Sequence, residues 1–141
     1  MNIPYRSYPI HPSNKLFPNQ KDLLRPIIDI SLKGKDGTDI IYSVLVDSGA
    51  DYSLFHGSIG EQLGLNVKKG KPLGFYGTSG RSQTAYFHEI TFKIEDQEVK
   101  SWIGFCYGIQ SMSVGLLGQF GFFDKFKISF DLRNKVLTLE N

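Results

Sequence analysis

From Pro26 onward the chain is built of short apolar, β-branched and aromatic runs broken by glycine turns, a pattern that predicts strands. Ile27-Ile28-Asp29-Ile30-Ser31-Leu32 is followed by Gly34-Lys35-Asp36-Gly37, whose Asp-Gly pair signals a hairpin, and then by a partner strand over 39–46. Ser58 lies three residues before Glu61, a capping box that opens a short helix stopped by Gly64. A glycine-punctuated loop over 74–81 precedes strands at 83–87, 88–94 and 99–107, the last two joined by the acidic turn Glu95-Asp96-Gln97-Glu98. Val114-Gly115-Leu116-Leu117-Gly118 leads into a segment where Phe120, Phe123 and Phe126 recur at helical spacing, so a second short helix is expected over 119–126. A final hairpin pairs 127–132 with 136–140 around Arg133-Asn134-Lys135. The expected class is all-β, mostly strands with one or two short helices.

The first 25 residues differ. Five of the six prolines (Pro4, Pro9, Pro12, Pro18, Pro26) fall at or before position 26, where each removes an amide donor. Residues 1–25 therefore read as an extended proline-rich arm and 26–141 as one domain. Ile3, Tyr5, Tyr8, Ile10, Leu16 and Phe17 make the arm more apolar than a free tail requires, so it is expected to pack along the domain or a partner.

Composition narrows the function classes. Fifteen glycines and 19 aromatic residues support strands joined by tight turns. Sixteen basic and 14 acidic residues are interspersed for a net charge of +2, so the electrostatic footprint of a nucleic-acid binder is missing. Lys68-Lys69-Gly70-Lys71 reads as a solvated loop. Cys106 is the only cysteine, which excludes an intrachain disulfide and a cysteine metal cage and fits a reducing, cytoplasmic compartment. No apolar run nears the ~20 residues that span a bilayer, and the N-terminus lacks a secretory signal's apolar core. No membrane partner is expected.

The candidate chemistry lies where the run Tyr42-Ser43-Val44-Leu45-Val46 ends in Asp47-Ser48-Gly49-Ala50. A strand that delivers a carboxylate into a turn with a hydroxyl and a glycine presents an acid at a rigid, narrow site. The Asp-Ser-Gly triplet occurs once. Chemistry needing two carboxylates must then take the second from another copy of the chain, which makes a homodimer part of the mechanism. The two halves of the domain also echo each other: each has a hairpin, an apolar strand closing on a glycine turn (Val46-Asp47-Ser48-Gly49, then Leu116-Leu117-Gly118) and a short helix behind it.

Three features in order resemble the retropepsin-like aspartic proteases over about residues 26–141: Leu45-Val46-Asp47-Ser48-Gly49-Ala50-Asp51, the glycine-rich hairpin near 74–81, and Leu116-Leu117-Gly118 before the closing strand. The resemblance implies a closed, barrel-like acid-protease fold and an aspartic endopeptidase acting as a homodimer on peptide or protein substrates, without cofactor or metal. It makes Asp47 the catalytic acid and Ser48 the residue whose hydroxyl braces the two active-site loops across the dimer. Gly49 would admit substrate closely, with Ala50 and Asp51 lining the cleft. Phe75, Tyr76, Gly77, Thr78, Ser79 and Gly80 would form a flap over the substrate, and Leu116-Leu117-Gly118 would cross beneath the loop as its psi-shaped support. Two departures stand out: serine replaces the threonine of many members at position 48, and Gln119 replaces the arginine that pairs, in retroviral members, with the acid equivalent to Asp51.

Two carboxylates within about 3 Å cannot both ionise cheaply and share a proton. The ionised member can activate a water while the protonated member hydrogen-bonds the scissile carbonyl. Rival chemistries fare worse. Ser48, Ser53, His56 and His88 show no Gly-x-Ser-x-Gly elbow. His11, His56 and His88 lack metal-ligand spacing, and Gly64 and Gly70 are spaced wrongly for a phosphate loop. The alternative left open is a catalytically silent homodimer that binds extended peptides.

Overall fold

The computed structural model describes residues 1–77, 80–109 and 114–141. Twelve strands are described: β1 (Asn2–Pro4), β2 (Arg6–Pro9), β3 (Asp22–Arg25), β4 (Ile27–Lys33), β5 (Asp39–Val46), β6 (Leu54–His56), β7 (Lys71–Tyr76), β8 (Ser82–Ile94), β9 (Gln97–Cys106), β10 (Gly115–Leu117), β11 (Lys127–Asp131) and β12 (Val136–Glu140). One helix, α1 (Gly57–Gln62), and a single 3-10 turn, Val67–Lys69, complete the described elements. The chain is mostly strand, as its residue pattern predicts.

Seven strands form a sheet in the order β4-β5-β10-β6-β9-β8-β7. Pairing of Ser31 and Leu32 with Lys93 and Phe92 joins β4 to β8 and closes the sheet on itself, leaving β7 outside the ring. The alternation along the strands explains what fills it. On β4, Ile28, Ile30 and Leu32 are buried; opposite them on β5, Tyr42 and Val44 face the same interior, in register with Ile30 and Ile28. Phe55, Phe92, Ile103, Phe105, Leu117 and Phe122 belong to the same core. A smaller cluster of Leu54, Ala85 and Cys106 gathers Tyr52, Phe75 and Phe87, so the β7–β8 hairpin packs into the same cluster as a residue next to the Asp47 turn.

The arm is folded onto the domain in part: Met1, Ile3 and Tyr5 pack against the core, while residues 11–20 are exposed, Leu16 and Phe17 with them, against the expectation that these two pack. β1 pairs with β12 as the edge of a three-stranded sheet β1-β12-β11, and the Met1 amine donates to the Leu139 carbonyl at 2.7 Å. β2 and β3 form a hairpin of their own. Arg6 ties it to the barrel wall, donating to Asp29 Oδ1 at 2.8 Å and Ser43 Oγ at 2.9 Å.

Two local expectations are corrected. The segment 119–126 is a run of turns, not a helix: Gly121 has φ +98°, and its carbonyl accepts the Ser101 hydroxyl at 2.6 Å. The left-handed residue breaks the helical register, and the buried face follows Phe122, which is fully buried, while Phe120 is 62% exposed. The expected Ser58 cap is also displaced. His56 is the N-cap, its Nδ1 accepting the Ser58 amide, and Ser58 lies inside the first turn. The stop at Gly64 holds, with φ +77° just past the helix end.

Candidate active site

β5 reaches the loop Asp47-Ser48-Gly49-Ala50-Asp51 between two neighbours that fix where it leaves the sheet. The Val46 amide donates to the Pro26 carbonyl at 2.9 Å, and the Asp47 amide donates to the Leu117 carbonyl at 3.0 Å. β10 runs parallel to β5 on one side and antiparallel to β6 on the other, so the chain after Leu117 crosses under the loop that joins those two strands. There the Gln119 amide donates to Ala50 O and the Phe120 amide to Asp51 O, each at 2.8 Å. This is the psi-shaped crossing.

The crossing requires a residue without a side chain. A Cβ on Gly118 would lie 2.4 Å from Tyr52 O and 2.6 Å from Ala50 O, both backbone atoms that cannot turn aside. Beneath it, the buried Ser53 accepts the Gly118 amide on its hydroxyl at 3.0 Å, and its own carbonyl accepts the Gly104 amide. By residue pattern alone, Ser53 stands only as a rival nucleophile. The signal that it is structural is its position directly before the apolar strand Leu54–His56, where a buried hydroxyl must find a partner.

Within the loop, Asp47 is half-buried and Ser48, Gly49 and Asp51 are exposed, with Ala50 between. Asp47 Oδ1 accepts the Gly49 amide at 2.9 Å, and the Ala50 amide closes the turn on Asp47 O at 3.2 Å. Gly49 lies outside the left-handed region; a Cβ there would approach Asp47 Oδ1 to 3.2 Å, so the glycine keeps room beside the carboxylate. Gln119 Nε2 donates to Ser48 O at 2.9 Å, a contact not readable from the residue pattern.

Phe75 and Tyr76 end β7, and Gly80 lies in the turn beyond it. Phe75 packs into the small cluster with Leu54 and Ala85, while Tyr76 is 79% exposed and Gly80 turns with φ +70°. Gly77 is half-buried. Thr78 and Ser79 lie outside the described residues. Among the described residues, no hydrogen bond joins the hairpin's far end to the Asp47 loop.

Next to the loop, Tyr52, Leu73, Phe87, Trp102 and Phe120 line an open groove of about 510 Å³. The Tyr52 ring sits 5.7 Å from both Phe87 and Phe120, and Lys71 Nζ stands 4.6 Å above Trp102. Neither histidine near the site is placed as a base for Ser48. His56 caps α1, and His88 Nε2 bonds the Val67 carbonyl at 2.8 Å. Among the described residues, no group of three His, Cys, Asp or Glu side chains is placed to hold a metal, and no helix is long and apolar enough to cross a membrane.

A family sequence model described as aspartyl protease matches residues 30–119, well over half of the chain and the whole of the loop and its support. The chain belongs to the aspartyl protease family. Its fold is that of the retropepsin-like members. A retropepsin-like aspartic protease from Rickettsia conorii superposes on this member of the family with a TM-score of 0.56 at 21% identity, covering 80% of this chain and 90% of that one. The EIAV protease complexed with the inhibitor HBY-793 superposes with a TM-score of 0.52 at 23% identity, covering 67% and 82%. No curated protein matches the sequence.

Proposed function

We propose that the protein is an aspartic endopeptidase in which two copies of the chain meet so that their Asp47 carboxylates share a proton and a water between them. One observation carries the reading. Asp47 is delivered half-buried on a loop clamped by β5 and β10, with Oδ1 oriented by the Gly49 amide. A carboxylate so fixed is preorganised for catalysis; a surface aspartate on an ordinary turn is not.

Each chain offers one such acid, so the second comes from a partner copy. Ser48, exposed beside Asp47, would meet the other chain's loop. The ionised carboxylate takes a proton from the water as it attacks the scissile carbonyl, and the protonated carboxyl hydrogen-bonds the carbonyl oxygen. The same pair then returns a proton to the leaving amine. Substrate binds extended, adding strand-type hydrogen bonds, with the β7–β8 hairpin closing over it through Phe75, Tyr76, Gly77, Thr78, Ser79 and Gly80. Ala50 and Asp51 line the floor, and the aromatic groove extends it.

The deciding experiment incubates the protein with a peptide library from acidic to neutral pH. Cleavage that disappears in Asp47→Asn, with the variant still folded, supports the endopeptidase. Peptide binding without cleavage in the native protein rejects it in favour of a silent binding dimer.

A further inference from the structure

We infer that Gln119 is a positioning residue that aims the Gly49 amide at the Asp47 carboxylate. The Ser48 carbonyl and the Gly49 N–H belong to one peptide unit, and in a trans peptide the two point in opposite directions. Gln119 Nε2 donates to that carbonyl at 2.9 Å, and the amide on the far side donates to Asp47 Oδ1, also at 2.9 Å. The amide end of Gln119 must face the loop, because a carbonyl oxygen can only accept. The result is a chain of three groups, side-chain amide to peptide to carboxylate, in which each bond polarises the next.

Gln119 is itself held. Its backbone amide donates to Ala50 O, and its carbonyl accepts the Asp124 amide at 3.2 Å. The side chain thus starts from a fixed point on the crossing strand. Among the described residues, it supplies the one side-chain hydrogen bond that reaches the backbone of loop 47–51 from outside the loop. Remove the donor, and the Ser48–Gly49 peptide loses its only restraint from outside the loop among the described residues and can tilt about its flanking bonds. Asp47 then loses a fixed orientation without losing its place in the chain.

The test reads the Gly49 amide directly, so it does not depend on catalysis. Gln119→Met keeps the length and removes the donor. Gln119→Glu keeps the shape; its carboxyl donates when protonated and repels the Ser48 carbonyl when ionised, across an ordinary glutamate value of about 4.3. The ionisable neighbours in this frame are Asp47 and Asp51 on the loop and Asp124 on the following turn, and the frame holds no basic group among them. Gln119 is exposed, so both variants should fold.

Hydrogen exchange of the Gly49 amide, read by NMR as a ratio to the native protein at each pH, should rise about five-fold in both variants at neutral pH, the equivalent of one ordinary hydrogen bond. At pH 3 the Gln119→Glu ratio should return toward one while that of Gln119→Met stays high. Unchanged Gly49 exchange in Gln119→Met, or a Gln119→Glu ratio that follows Gln119→Met at every pH, overturns the inference. Its kinetic side rests on the endopeptidase reading: kcat should fall about five-fold in Gln119→Met with KM unchanged. A native protein that cleaves nothing would end that reading, while the exchange ratios would still decide the role of Gln119.

Discussion

The Ser53 hydroxyl accepts the Gly118 amide at 3.0 Å at the point where one chain segment passes beneath another. Both residues are buried there, and both are needed for different reasons. Serine supplies an acceptor to an amide that no strand partner reaches. Glycine lets two backbones approach to a separation that any side chain would prevent.

Substituting the two should therefore give unequal losses. Ser53→Ala leaves the Gly118 amide without its acceptor and should cost about 1–3 kcal/mol. Gly118→Ala forces a methyl against the Tyr52 and Ala50 carbonyls and should cost about 3 kcal/mol or more. Urea denaturation of both variants checks the order; a Gly118→Ala protein as stable as the native one would contradict the crossing.

Assembly should control activity. With one Asp47 per chain, specific activity should fall on dilution through the dimer dissociation constant, and sedimentation should show dimers giving way to monomers over the same range. A monomer with full specific activity would sink the shared site.

The aromatic groove should affect binding more than chemistry. Phe120 is largely exposed, so Phe120→Ala should change the melting temperature little. It should raise KM for long peptides about five-fold, roughly 1 kcal/mol of lost apolar contact, with kcat little changed. Peptides too short to reach the groove should not distinguish the variant from the native protein.

The tie between arm and barrel should weaken in acid. The Ser43 hydroxyl and then the Arg6 guanidinium hold the Asp29 carboxyl below its ordinary value near 3.8. A depressed folded-state value means stability that is present above 3.8 and lost as pH falls through the lower value in the folded protein. Asp29→Asn should thus be destabilised at pH 7 and match the native protein under strongly acidic conditions. The pair is half exposed, so the difference should stay below about 1 kcal/mol. A gap that widens with acid in denaturation curves would reverse the assignment.

Strands 27–46 and the closing hairpin were legible because their apolar positions alternate and their turns carry glycine or asparagine. The Asp47 loop could be found because an acid, a hydroxyl and a glycine follow directly on a strand. The helix expected over 119–126 failed for a local reason: periodicity counted three phenylalanines, but one left-handed glycine breaks the run, leaving Phe120 exposed and burying Phe122 beside Phe126. The loop's supports were hidden because the bonds that make them, Gly118 to Ser53 and Gln119 to Ser48, span 65 and 71 positions of sequence. Such contacts leave no periodic trace. The closure of the barrel through Ser31 and Leu32 was equally out of reach, since it depends on how far the sheet twists before its ends meet.

β8 belongs to two structures at once. Tyr86 and Phe87 pair with Pro72 and Lys71 on one edge and with Phe105 and Gly104 on the other, so the hairpin's second arm is continuous with the barrel wall. The hairpin has no separate hinge at its root on that side. Displacing its tip must bend one unbroken ribbon, and the strain is passed to Ala85, Phe87 and the cluster that touches Tyr52. A ligand gripped at the far end would be felt, mechanically, beside the acid.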